Sequence, residues 1–222
     1  MNAADFLPHI VSMQRGYNGD PVGGEWFKSR TDDILLFEDA DKLTLICLGT
    51  QPKWREWFWN IAFKSVEWLD MGRVHGGFAK NVNELVGRED QPGSLISKCV
   101  NAAKNGKSIL LEGHSRGLPI AVLTATQLLA HGIPSESIEV IGCAGARVGN
   151  ERFNKTYATL LGVNTFVLNG NSDPVPYLPW WGYSNGKIVK ISLGGKMPRH
   201  SLKYYFNAVG SIDERRTKES IL

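Results

Sequence analysis

Residues 108–123 read Ser108-Ile109-Leu110-Leu111-Glu112-Gly113-His114-Ser115-Arg116-Gly117-Leu118-Pro119-Ile120-Ala121-Val122-Leu123. Within this stretch Gly113-His114-Ser115-Arg116-Gly117 matches Gly-x-Ser-x-Gly, a pattern short enough to recur by chance, so its surroundings decide its meaning. The apolar triplet Ile109-Leu110-Leu111 runs straight into the motif as a buried strand, and Pro119 to Leu123 leaves it as a helix. A serine on so tight a strand-to-helix turn is held in strained backbone geometry and crowded from both sides, which favours glycine two residues before and after it. The chain also contains a control. Gly182-Tyr183-Ser184-Asn185-Gly186 fits the same pattern but follows an aromatic loop and precedes a β-rich run, with no helix N-terminus to face a developing negative charge. Ser184 therefore reads as a turn residue.

Around the motif, short apolar β-rich runs alternate with helical stretches, the pattern that builds a largely parallel sheet covered by helices. The expected strands are 34–37, 43–48, 108–112, 138–142, 164–168 and 187–193, and the expected helices 54–63, 77–86, 94–105, 119–131, 151–161 and 202–209. The polar turn 38–42 joins the first two strands and predicts an antiparallel start, with parallel pairing from residue 108 onward. Residues 1–30 show too weak a period to assign, and the charged tail 213–220 is expected to fray or to cap a terminal helix. The fold class is thus α/β, and 222 residues suit one substantial core, so residues 1–222 are expected to form a single domain.

Composition excludes several functions. A net charge of +3 with scattered Lys and Arg is too mild for a nucleic-acid-binding face. The N-terminal residues lack the basic and unbroken apolar segments of a secretion signal, and no apolar run is long enough to span a bilayer, so a cytoplasmic or already processed chain is expected. Cys47, Cys99 and Cys143 are odd in number and widely spaced in apolar sequence, and read as small buried hydrophobes. No Cys/His cluster or His-Glu-x-x-His is present, so neither a metal nor any other cofactor is expected.

A serine hydroxyl becomes a useful nucleophile when an imidazole takes its proton and a carboxylate orients that imidazole. On a strand-turn-helix nucleophile the partners follow in the order serine, acid, histidine. Two histidines follow Ser115. His131 ends the helix that leaves the motif, with no strand-end acid before it, and suits the negative end of a helix dipole, which leaves His200 as the base. Asp173 is the acid that placement favours, because it follows an apolar strand in the turn-rich loop Asn169-Gly170-Asn171-Ser172-Asp173-Pro174. Glu136 and Glu139 precede or enter a strand, Glu151 opens a helix, and Asp213 comes after His200. Acyl transfer also needs N–H donors for the oxyanion: Arg116, next after the serine, supplies one, and the second should follow an early strand such as 43–48, which ends in Gly49-Thr50.

Seven landmarks now stand in order: Gly49-Thr50, Trp57-Phe58-Trp59-Asn60, His75-Gly76-Gly77-Phe78, the motif Gly113 to Gly117, the stretch Gly142 to Asn150, Asp173-Pro174-Val175-Pro176, and His200. Over residues 43–206 this arrangement resembles the class 3 lipases, the family of fungal triacylglycerol lipases and their relatives. The resemblance implies an α/β-hydrolase fold and assigns the second oxyanion donor to Thr50. It further implies structural hydrogen bonding for His75 and His114. Three departures are visible: Arg116 stands where the family has an apolar residue, Leu118-Pro119 replaces a small-residue pair, and Ala146 replaces the Pro before Arg147. A guanidinium beside the acyl site predicts a preference for acidic or phosphate-bearing substrates.

Trp54, Trp57, Phe58 and Ile61 share one face of the expected helix 54–63, while Trp59 points elsewhere. Two readings stand for this segment: a lid or lipid-contacting surface, as in fungal relatives, or core packing. The aromatic loop Tyr177-Leu178-Pro179-Trp180-Trp181 leaves the same pair open, a substrate-pocket wall or core. The expected activity is hydrolysis of lipid carboxylic esters through Ser115, Asp173 and His200, with a lipid or ester as substrate, transient contact with a lipid interface, and no obligate protein partner. Phospholipase or acyltransferase activity, or a lipase-like binding protein without turnover, are the alternatives.

Overall fold

The computed structural model describes residues 1–19, 23–49, 64–195 and 198–219, with side chains through 212. The expected helix 54–63, and with it Thr50, Trp54, Trp57 and Trp59, lies outside the described residues.

Among the described residues the chain runs through helix α1 (Leu7–Asn18), strands β1 (Glu25–Lys28), β2 (Asp32–Glu38), β3 (Lys42–Gly49), β4 (Ser65–Trp68) and β5 (Gly72–His75), and helices α2 (Gly76–Val86) and α3 (Leu95–Lys104). It continues through β6 (Ser108–His114), α4 (Gly117–Ala130), β7 (Ile138–Cys143), α5 (Glu151–Leu161), β8 (Thr165–Gly170), β9 (Lys187–Ile191) and α6 (Leu202–Glu219). Seven strands form one sheet in the order β1-β2-β3-β6-β7-β8-β9. The first three pair antiparallel, and β3 through β9 pair parallel, as the sequence pattern anticipates.

Side chains alternate across this sheet with the period of two that a strand imposes. Leu43, Leu45 and Cys47 of β3 and Ile109 and Leu111 of β6 face one side, where they pack with Phe78, Val82, Leu95, Ile120 and Phe153 of the covering helices. Ile46, Leu48 and Leu110 face the other, against Phe6, Ile10 and Met13 near the N-terminus and Leu202, Tyr205 and Val209 of α6. Both faces are therefore dry, which explains why the central strands read as continuous apolar runs. All three cysteines are buried and free, and burial pushes each thiol above its ordinary range. No helix among the described residues is long and apolar enough to cross a membrane.

Several elements depart from the sequence reading. Residues 1–30 contain α1 and the edge strand β1. The stripe that seats this N-terminal segment has Phe6, Ile10 and Met13 at its buried centre, with Leu7 and Tyr17 only half-buried beside them, and is narrow among polar neighbours. The hairpin β4–β5 escaped because its turn uses Leu69 and Asp70 at φ 47° and 54°, where Asn-Gly is the recognisable signal. The last helix runs on past 209 to Glu219, through Gly210, whose cost of about 1 kcal/mol in a helix interior is not enough to end it. Strand β9 stops at Ile191, and Gly194 and Gly195 follow with positive φ.

Candidate active site

The parallel strands β6, β7 and β8 end side by side, and the site is built on those carboxyl ends, where an α/β sheet opens a crevice. Ser115 lies between the last residue of β6 and α4 with φ 57°, a left-handed conformation rare for a non-glycine residue and tolerated only where the surroundings over-determine it. They do so here. The Ser115 N–H donates to the Cys143 carbonyl at 3.0 Å, and the Ser115 carbonyl accepts from Ala146 N at 3.2 Å. A Cβ on Gly117 would lie 2.0 Å from the Cys47 carbonyl oxygen, and one on Gly113 2.5 Å from the Gly117 carbonyl group. The two motif glycines are thus dictated by backbone that cannot move aside.

Asp173 and His200 arrive from two loops beyond β8 and β9. The Asp173 side chain is fully buried and uses both oxygens: Oδ1 accepts the Val175 backbone N–H at 2.9 Å, while Oδ2 faces His200 Nδ1 at 2.8 Å. The Asx turn before Val175 and the contact with the imidazole therefore coexist on one carboxylate. The backbone N–H of Arg199 donates to the Ser172 carbonyl at 2.9 Å, tying the histidine loop to the acid loop. His200 Nε2 lies 2.7 Å from Ser115 Oγ. A carboxylate only accepts, so Nδ1 carries the proton, and the Nε2 lone pair is left to receive the serine hydroxyl. The structure thus brings Ser115, His200 and Asp173 into one hydrogen-bonded line.

Three further groups support this line. Tyr205 of α6 donates its hydroxyl to Asp173 Oδ2 at 2.7 Å and accepts the Gly170 N–H at 3.0 Å. Burial, and secondarily the Asp173 charge, raises the pKa of this phenol well above its ordinary value, so it remains protonated and a donor. His114 stacks on His200 with ring centroids 4.9 Å apart, and its Nε2–H donates to the His200 carbonyl at 3.0 Å. Tyr17, from α1, packs edge-on against the His114 ring at 5.8 Å, and its hydroxyl accepts the Gly49 N–H at 3.3 Å. Nothing in the sequence marks Tyr17, since residues 1–30 show no clear period. Tyr205 had one weak signal, its place in the aromatic run after His200.

The remaining histidines are structural in their contacts. His75 caps α2, accepting Gly77 N–H through Nδ1 at 3.2 Å, and packs on Phe78. His131 ends α4 with Nδ1 2.7 Å from Glu89 Oε2, as its position predicts. Ser184 lies in the loop before β9, with no helix behind it. Burial lowers the pKa of His114 to about 3 and of His75 to about 4, the neighbouring charges of His200 and Arg116 adding to the effect. Both imidazoles are neutral in the fold but protonate near pH 6.5 once unfolded, so their stabilisation is full above that value and is lost as pH falls towards the folded values. The urea midpoint is expected to drop between pH 7 and pH 5, reflecting a loss of about 2 kcal/mol of stability per imidazole. A midpoint flat across that interval would contradict it.

Arg116 corrects an expectation. Its guanidinium is engaged by the buried Asp32, through Nε to Oδ1 at 2.8 Å and Nη2 to Oδ2 at 2.6 Å, so its charge is spent on a carboxylate of the chain itself. The ground for an acidic or phosphate-bearing substrate is removed. The residue itself precedes the first turn of α4, which places its backbone at the positive end of that helix. The aromatic loop divides: Trp180 is 73% exposed and Tyr177 is 54% exposed, while Trp181 is half-buried and stacks on His75 at 6.5 Å. Core packing is thereby overturned for Trp180. The Arg147 guanidinium holds this loop, donating to the Trp180 carbonyl at 3.2 Å and lying over the Tyr177 ring at 5.9 Å.

Comparison with known proteins agrees with this architecture. The lipase of Rhizopus microsporus var. chinensis superimposes with a TM-score of 0.70 at 18% identity, over 93% of this chain and 82% of that one. A mutant of the Penicillium cyclopium enzyme MDLA gives 0.63 at 24% identity, over 80% of this chain and 65% of its own. These likenesses establish the α/β-hydrolase fold. In sequence, phospholipase A1-II 4 of Oryza sativa subsp. japonica is 26% identical over 167 residues, 65% of this chain and 42% of that protein. Secreted mono- and diacylglycerol lipase A of Penicillium camembertii is 39% identical over 82 residues, 37% of this chain and 26% of that protein. The chain thus spans less than half the length of these two relatives. The sequence pattern described as Lipase (class 3) matches residues 44–183, more than half of the chain, from within β3 through the Ser115 turn and past the acid loop, and the chain therefore belongs to the class 3 lipase family.

Proposed function

We propose that this protein hydrolyses carboxylic esters of lipids through an acyl-enzyme formed on Ser115. The observation that carries the reading is the unbroken line Ser115 Oγ, His200 and Asp173, at 2.7 Å and 2.8 Å, on a strained turn at the sheet edge. His200 Nε2 takes the hydroxyl proton as Oγ attacks the ester carbonyl, and Asp173 stabilises the imidazolium that results. Backbone N–H groups of Arg116 and Thr50 hold the oxyanion. The imidazolium returns its proton to the departing alcohol, leaving Ser115 acylated. Water then attacks the acyl carbon, giving its proton to His200, and the carboxylic acid leaves as the serine is restored. Every group in this sequence comes from the chain, and no cofactor takes part. Trp54, Trp57, Trp59 and Trp180 are proposed as apolar contacts for acyl chains or a lipid surface.

Within that reading we assign neutral acylglycerols as the preferred substrates, because Arg116, the cation directly after the nucleophile, is neutralised by Asp32. Likeness to a protein named phospholipase A1 favours a second reading, cleavage of phospholipids. A fluorophosphonate probe followed by peptide mapping tests the core of the proposal, with Ser115 as the expected labelled residue and labelling elsewhere or nowhere refuting it. Fatty-acid release from diacylglycerol, triacylglycerol and phosphatidylcholine then separates the two substrate classes. Faster release from the glycerides is expected, and faster release from phosphatidylcholine would establish the second.

A further inference from the structure

We infer that Asp32 is a positioning residue for the oxyanion site, acting through the side chain of Arg116. The inference rests on the proposed roles of Ser115 and of the Arg116 N–H, and deepens them. Asp32 opens β2 with its side chain fully buried, where an unpaired carboxylate would be very costly. The chain surrounds it with donors. Arg116 supplies the two-point fork at 2.8 Å and 2.6 Å, Asn81 Nδ2 of α2 donates to Oδ2, and the Thr31 hydroxyl donates to the same oxygen at 3.1 Å. Arg116 Nη2 also reaches Thr31 Oγ1 at 3.0 Å, and its guanidinium lies over the Phe78 ring at 5.8 Å.

Two placements turn this cluster from packing into positioning. Arg116 is the residue directly after Ser115, so a side chain locked in a planar fork restrains the backbone whose N–H is meant for the oxyanion. In the strand register Asp32 pairs with Gly49, the last residue of β3, and a Cβ on Gly49 would meet the Arg116 Cβ at 2.7 Å. One buried carboxylate therefore draws together the nucleophile turn and the end of the strand that leads into Thr50. An apolar side chain at 116 would fill space without fixing orientation. Stability alone does not call for the pair, since well-packed apolar residues commonly replace buried ion pairs at no cost.

The test compares wild type, Asp32→Asn and the double variant Asp32→Asn/Arg116→Met. The readings are kcat and KM for p-nitrophenyl butyrate, affinity for an alkyl boronic acid that mimics the tetrahedral state, and Tm. Asp32→Asn is expected to lower kcat about 10- to 100-fold, with boronic acid affinity falling in parallel and KM moving less than about threefold. Its Tm falls too, since a guanidinium is left without its carboxylate. The double variant leaves neither charge and is expected to recover Tm while kcat and boronic acid affinity stay low. Recovery of kcat together with Tm in the double variant would show the pair to be structural and overturn the inference, as would an Asp32→Asn protein that turns over like wild type. If Asp32→Asn does not fold, the double variant alone decides between these outcomes. A wild-type chain that neither turns over ester nor takes up the fluorophosphonate refutes the hydrolase reading and the inference with it, whereas an active wild type with unaffected variants refutes only the inference.

Discussion

Ser115→Ala is expected to reduce ester turnover to the background rate while leaving the fold intact. The side chain makes one polar contact of consequence, with His200 Nε2 at 2.7 Å, and its removal takes away the attacking atom itself. Losing the nucleophile in a serine hydrolase costs about a million-fold in kcat, more than any other single change proposed here. Stability should barely respond. Alanine keeps the Cβ already accommodated at φ 57°, and the bonds that hold the turn, Ser115 N–H to the Cys143 carbonyl and Ala146 N–H to the Ser115 carbonyl, are backbone to backbone. A Tm within about 2–3 °C of wild type, beside a kcat at the assay floor, is the expected pair of readings. Turnover within about tenfold of wild type would remove Ser115 from the chemistry.

Asp173→Asn is expected to cost about 10⁴-fold in kcat by changing a tautomer rather than a position. One carboxylate oxygen, Oδ1, accepts the Val175 backbone N–H, a donor that cannot turn away. The asparagine carbonyl must therefore take the Oδ1 place, and its NH₂ group faces His200 Nδ1. That nitrogen then has to accept, so the ring proton moves to Nε2, where it points at Ser115 Oγ and no base remains. The Tyr205 hydroxyl, now facing the NH₂ group, can rotate to accept from it, so the loop should hold its shape. Steady-state kinetics on a soluble ester, with Tm as the control for folding, checks the prediction. A loss smaller than about tenfold would mean that Asp173 does not set the state of His200.

The legible part of this protein was local. Gly113 could be read as a structural requirement because the crowding it relieves comes from the helix that follows in sequence, and Gly117 because of its place in the motif, although the backbone that crowds it, at Cys47, belongs to distant β3. The apolar triplet Ile109-Leu110-Leu111 announced a strand dry on both faces. Asp173 and His200 could be picked by order and by elimination among few competitors. The hairpin β4–β5 and helix α1 were opaque for the opposite reason: a left-handed Leu69-Asp70 turn and a narrow apolar stripe carry no periodic signal, and packing against the rest of the molecule decides them.

The alternation of strands and helices from β6 onward, the nucleophile turn and the identity of the three side chains that meet there were written in the sequence itself, since each depends on neighbours in the chain or on a topology with few alternatives. What surrounds them was decided only in three dimensions. Tyr17 reaches Gly49 and the His114 ring, Tyr205 reaches Asp173, and Asp32 reaches Arg116 across 84 positions of sequence. Hydrogen bonds over such separations leave no pattern along the chain. The meaning of Arg116 shows why this matters: a cation beside the nucleophile predicts an anionic substrate, and only the buried carboxylate opposite it, brought there by the pairing of β2 with β3, reveals that the charge is already answered.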